Sequence, residues 1–181
     1  DAGVADDGQR TVGLAQEGFR EEGAHHAGAI AGRDELRCQV HGFEVEEAAA
    51  CLVAAAEHSE AVEAVVELRE ATWLVHFETG GECVVEWAQH PLRLVLTTAL
   101  GEPAPEARAK VHSAALTFNL LWGELGSMRL AKDDEDENLL LINDVFPQDE
   151  SSRHIVLANE MLRLEGLRLL WSMYIESAAA A

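Results

Sequence analysis

The order of residues predicts an α+β fold: a helix, three antiparallel strands, a second helix, two more strands and a final helix. Three observations carry this. Apolar residues recur at three-and-four spacing from Val45 onward and again after Asp149, the mark of amphipathic helices. Three runs rich in aromatic and branched residues, Trp73 to Phe77, Cys83 to Trp87 and Leu92 to Leu100, are separated only by Gly80-Gly81 and His90-Pro91. Connections this short join antiparallel neighbours. A parallel nucleotide-binding sheet needs long crossovers.

The first helix begins near Phe43, with Val45, Ala49, Leu52, Val53 and Ala56 as its apolar stripe and Glu44, Glu46 and Glu47 at the positive end of its dipole. The spacing predicts that it runs to about Val66, with Glu57, Glu60, Glu63 and Glu67 on a solvated face. In the first hairpin, a two-residue Gly80-Gly81 turn would set Val75 against Glu86. A three-residue Thr79-Gly80-Gly81 loop sets Phe77 against Cys83, Val75 against Val85 and Trp73 against Trp87, with Gly81 left-handed. The second register is expected, because it makes one sheet face wholly apolar.

Pro103 and Pro105 open the second helix, where a missing N–H is harmless, and Val111, Ala114, Phe118, Leu121 and Trp122 form its stripe up to Gly123 and Gly126. Strands Ser127 to Ala131 and Asn138 to Phe146 flank the acidic tip Asp133 to Glu137. Asp149 is the expected N-cap of the last helix, which extends to about Glu176. That helix has too many apolar residues for one stripe. Ile155, Ala158, Leu162, Leu169 and Met173 lie on one face, and Leu157, Met161, Leu164, Trp171 and Ile175 on another, so a second buried contact is expected.

With 181 residues there is room for one domain. The 33 acidic side chains against 13 Lys and Arg give a net charge of -20, which repels nucleic-acid backbones and anionic lipid heads. The uncharged run Ala48 to Ala56 is far short of the ~20 residues of a membrane span. Eight of the 14 glycines fall in the first 42 residues, recurring every fifth position from Gly3 to Gly28. Neither helix nor strand has that period, so residues 1–42 are expected to be an extension with little fixed structure, residues 43–176 the domain, and residues 177–181 an Ala-rich tail. Residues 1–42 hold 8 acidic and 4 basic side chains and the remainder 25 and 9, which places the acidity in the domain. Cys38, Cys51 and Cys83 fit neither a disulfide framework nor a zinc site, and no basic-then-apolar leader opens the sequence, so a reducing cytoplasm is expected.

The eight histidines, His25, His26, His41, His58, His76, His90, His112 and His154, show no metal-ligand spacing. Cys83, beside Glu82 and one strand from His76, is the nearest approach to a thiol with a base, but its register turns it toward the apolar layer. In the run Asp133 to Glu137, Asn138 stands where a calcium loop needs Gly, which makes a solvated hairpin tip the better reading. No phosphate-cradling loop or nucleophile elbow occurs. No catalytic residue, metal or cofactor is nominated. A small cysteine- or metal-dependent hydrolase is the least favoured reading.

Several strings match a known family. Leu139 to Ser151, LLLINDVFPQDES, resembles the last strand and helix entry of class I type III secretion chaperones, the Tir-chaperone or CesT-like family. ALTFNLLW around Asn119 resembles the leucine-rich second helix, and LRLVLTTALG, Leu92 to Gly101, the third strand. The resemblance covers about residues 43–176. The Gly-rich extension, and the loose match of Gly123 to Gly126 to the helix-to-strand turn, depart from it.

The resemblance implies a non-catalytic homodimer of the bacterial cytoplasm that holds the N-terminal segment of a secreted effector in extended form, with the secretion ATPase as a further candidate partner. It nominates Leu116, Leu120, Leu121, Trp122, Met128 and Leu130 for the dimer interface. For effector binding by strand addition it nominates Leu52, Val53, Trp73, Val75, Phe77, Val85 and Trp87. A regulator or anti-activator of the same architecture is the alternative.

Overall fold

The computed structural model describes residues 44–146 and 149–179, all within one compact unit; the Gly-rich extension, residues 1–42, lies outside them. The elements are α1 (Val45–Glu57), β1 (Val62–Arg69), β2 (Thr72–Phe77), β3 (Glu82–Gln89), β4 (Leu92–Gly101), α2 (Arg108–Phe118), a 3-10 turn (Asn119–Leu121), α3 (Trp122–Leu125), β5 (Arg129–Lys132), β6 (Leu139–Val145) and α4 (Arg153–Ala179). The fold is α+β, as expected. The six strands make a single antiparallel sheet in the order β1-β2-β3-β4-β6-β5.

The main departure from expectation is at the first helix. It stops at Glu57, and the segment assigned to its second half is strand β1, so four strands rather than three precede α2. The chain turns at Ser59, whose carbonyl accepts the Val62 N–H at 3.2 Å and whose hydroxyl lies 3.4 Å from the Ala61 N–H. Beyond it Val62, Val65 and Val66 mimic helical spacing, but branched residues favour the pleated strand.

The hairpin register also differs. Val75 lies opposite Cys83 and Trp73 opposite Val85, and Phe77 donates its N–H to the Gly81 carbonyl, so the loop is Glu78-Thr79-Gly80. The pairing is two residues from the expected one. A shift of two preserves which side chains share a face, so the apolar face survives. Gly80, at φ +80°, takes the left-handed position that was expected of Gly81. Gly81 is required for a different reason: a Cβ there would lie 2.5 Å from Arg168 Nε and 2.6 Å from Glu165 Oε2.

Alternate residues of the sheet, among them Trp73, Val75, Phe77, Val85, Leu94, Leu96 and Leu141, face one core with Leu52, Val111, Leu157, Met161 and Leu164 from the helices. Each fully buried Leu or Phe contributes roughly 1.5–3 kcal/mol, which makes this layer the main source of stability. α4 crosses β4 and β6, α1 packs on β1 and α4, and α2 packs on β5. The opposite sheet face carries a row from Val66 through Leu74, Val84 and Thr97 to Ile142. It also carries Asp144, paired with Arg129 at 2.8 Å and Arg93 at 3.3 Å.

α2 begins at Arg108, after a turn that buries Pro103, and Gly126 at φ +68° ends the helical stretch, whereas Gly123 lies inside α3. Ser152, not the expected Asp149, takes the N-cap position of α4, and Asp149 lies in the turn before it. Its carboxylate accepts the Ser151 N–H and the Ser151 and Ser152 hydroxyls, which hold it below the ordinary carboxylate range. α4 runs three residues past the expected end, to Ala179. Its two faces separate with one exception: Leu157, Met161, Leu164, Trp171 and Ile175 are buried and Ile155, Leu162, Leu169 and Met173 are exposed, but Ala158, expected on the latter face, is buried in the core.

Candidate functional site

The two outer strands of the sheet are treated differently. Asn119, just past α2, directs its carboxamide at β5: Oδ1 accepts the Leu130 N–H at 2.8 Å and Nδ2 donates to the Leu130 carbonyl at 3.0 Å. The outer edge of β5 is thereby occupied by a side chain that imitates a neighbouring strand. β1 pairs with β2 on one side, and no described strand pairs with its other side. The open edge adjoins a cleft of about 340 Å³ between α1 and β1, lined by Val53, Ala56, Glu57, Val62, Glu63, Ala64 and Val65. Val53 is exposed there, and Val66 is exposed on the opposite face of the sheet.

A second apolar feature lies between α2 and α4. A groove of about 680 Å³ is lined by Ala114, Phe118, Leu121, Leu167, Leu170, Trp171 and Tyr174, with Lys110, Ser113 and Thr117 at its polar side. Trp171 stacks edge-on against Phe118 and Tyr174, with centroids 5.5 and 5.4 Å apart, which fixes the groove floor. Beside it Leu116, Leu120 and Trp122 are 70–75% exposed and Leu121 is 48% exposed.

The residues nominated from the sequence divide accordingly. Of the dimer candidates, Leu116, Leu120, Leu121 and Trp122 are exposed, Leu121 lining this groove and Leu116 a smaller cleft with Asn119 and Leu130, while Met128 and Leu130 are buried in the core. Of the effector candidates, Leu52, Trp73, Val75, Phe77 and Val85 are buried beneath the helices, Trp87 packs partly buried against them, and Val53 alone is well exposed. The sequence reading missed the β1 edge and its cleft because it placed these residues in a helix. The branched triplet Val62, Val65 and Val66 was the available signal.

Cys83 and His76 lie on opposite faces of the sheet. The thiol is fully buried opposite Val75, and burial pushes it up to about 12. The imidazole is on the other face, 3.3 Å from Glu82. No thiol–imidazole pair forms there, and a thiol held protonated is a poor nucleophile. Burial likewise pushes the Cys51 thiol up to about 11. The acidic residues Asp133 to Glu137 form a hairpin tip in which Lys132 pairs with Glu137 at 3.1 Å and holds that carboxyl below its usual range. Among the described residues, no three His, Cys, Asp or Glu side chains group to hold a metal ion, and no helix is long and apolar enough to cross a membrane.

Comparison of the chain with protein-family models, with curated proteins and with solved structures returns no match.

Proposed function

We propose that this chain is a non-catalytic binding protein of the type III secretion chaperone kind, which holds a segment of a secreted effector in extended form in the bacterial cytoplasm and works as a homodimer. The observation that carries the reading is the unequal treatment of the sheet edges, with β5 closed by Asn119 and β1 open beside an apolar cleft. An extended segment added to β1 would gain main-chain hydrogen bonds and place alternate side chains against Val53, Ala56 and Val62. The domain's acidity suits a basic or amphipathic client and keeps a protein with exposed leucines dispersed. The resemblance in LLLINDVFPQDES and ALTFNLLW supports the same reading.

The test is co-expression with the product of the neighbouring gene, followed by amide hydrogen exchange of the purified complex. Protection is expected at Val62–Arg69, and Val53→Glu should weaken capture by about tenfold, the scale of one lost apolar contact plus a buried charge. A bound partner that is not secreted would overturn the chaperone reading in favour of a regulatory module. Protection confined to the α2–α4 groove would overturn the strand-addition site.

A further inference from the structure

The exposed face of α4 has an order that neither the core nor the proposed client cleft uses. Ile155, Asn159, Leu162, Gly166, Leu169 and Met173 are all exposed, and they recur at alternating four- and three-residue intervals, the period of a helix-pairing seam. The helix has 27 residues and is about 40 Å long, with Gly166 at its midpoint. A Cβ at Gly166 would meet nothing within 4 Å, so no packing within the domain demands glycine there, and glycine weakens a helix interior. A partner helix that must approach closely would demand it.

We propose that α4 pairs with α4 of a second copy of this chain, antiparallel, across this seam. The proposal deepens the homodimer reading above, on which it rests for the existence of a dimer, and it names a different face as the contact. The stretch from Asn159 to Glu176 is self-complementary about its centre, between Leu167 and Arg168, and Ile155 lies beyond the paired part. In antiparallel alignment Leu169 enters the space over the partner's Gly166, Leu162 packs on the partner's Met173, and the same contacts repeat in reverse. At each end the Asn159 amide meets the partner's Glu176, a polar layer of the kind that holds helix pairs in register. The core-facing residues of α4 point away from the seam, so both domain bodies remain outside the contact.

Charge selects a second copy over a client. The chain carries 33 acidic residues, yet the paired seam includes only one, Glu176, set at each end against Asn159. An acidic seam would repel its own copy, and a basic client would be better held by acidic groups than by this neutral stripe. Glu160 and Glu165, the other acidic residues within the span, are turned to Asn143 and to Arg168 respectively.

Light scattering on the full chain should show a dimer. Leu169→Glu should raise the dimer dissociation constant by about a hundredfold, since it buries two unpaired carboxylates. Gly166→Leu should weaken the dimer too while the monomer's thermal midpoint rises, because its side chain enters open space and leucine favours the helix more than glycine does. Trp122→Glu should leave the dimer intact. In a Cys38→Ser background, spin labels on Ser177→Cys should lie about 28 Å apart along the helix axis, against about 10 Å for a parallel pair. A dimer lost with Trp122→Glu and kept with Leu169→Glu overturns the seam and leaves the homodimer reading standing, whereas a wild-type monomer overturns both. The short label distance overturns the antiparallel pairing.

Discussion

The side chain of Asn119 pairs with both backbone groups of Leu130, accepting its N–H at 2.8 Å and donating to its carbonyl at 3.0 Å. Leu130 is 7% exposed, so both groups are left without a partner, and with little access to water, when the carboxamide is removed. Asn119→Ala should therefore destabilise the domain by about 2–3 kcal/mol and speed hydrogen exchange at the Leu130 amide. Asn119→Asp keeps the acceptor and loses the donor, so about half the effect is expected. Urea titration with amide exchange separates the two.

At the tip of the first hairpin, two adjacent glycines should respond in an order that their dihedral angles alone would reverse. Gly80→Ala places a Cβ at φ +80° with nothing within 4 Å, a cost of about 1 kcal/mol. Gly81→Ala drives a Cβ to 2.5 Å from Arg168 Nε, which displaces a part-buried guanidinium from the buried Glu165 and should cost about 2–3 kcal/mol. Equal midpoints for the two variants in urea would contradict the packing described here.

Arg168 pairs with Glu165 through two hydrogen bonds of 2.7 Å, and Thr79 donates its hydroxyl to the same carboxylate. Glu165 is 4% exposed. Arg168→Ala leaves that carboxylate buried and uncompensated, and thermal unfolding should register a loss of about 3–5 kcal/mol. Replacing both residues with Met should restore most of it, because an apolar pair has no charge to desolvate.

The Cys83 thiol has its pKa raised from the ordinary 9.0 to about 12 by burial. Above pH 9 the unfolded chain releases this proton and the folded chain keeps it, so stability declines as pH rises toward the folded value. Cys83 contributes a slope of about 1.4 kcal/mol per pH unit, and Cys51, raised to about 11, adds its own up to that value, so Cys83→Ala should remove about half of the decline between pH 9 and 11. A thiol reagent should label Cys83 only after unfolding.

Ala71 closes the β1–β2 turn at φ +59°, a conformation that costs a residue with a Cβ about 1 kcal/mol. Ala71→Gly should raise the thermal midpoint. A lower midpoint would mean that the entropy of the unfolded chain outweighs the relieved strain.

Several elements were readable in the sequence because their signals are local. Pro and Gly bound β2 to β4, the alternation of Leu139, Leu141 and Val145 reads directly as a strand, and the surplus leucines of α4 announced its second face. β1 was not readable, since Val62, Val65 and Val66 satisfy helical and strand spacing equally; the turn at Ser59 that decides between them is held by weak local hydrogen bonds. The hairpin register failed by two residues because face chemistry is blind to an even shift. What decides it includes contact with Glu165 and Arg168, more than eighty residues later in the chain. The candidate site inherits these limits. The residues nominated on β2 and β3 are on the right face of the sheet, but that face is the core.

Among the described residues, Asn119 occupies the outer edge of β5 at Leu130 and no strand pairs the outer edge of β1, which leaves β1 as the edge for an added strand. Two open edges would let copies join end to end without limit. With one, strand pairing by itself joins no more than two sheets.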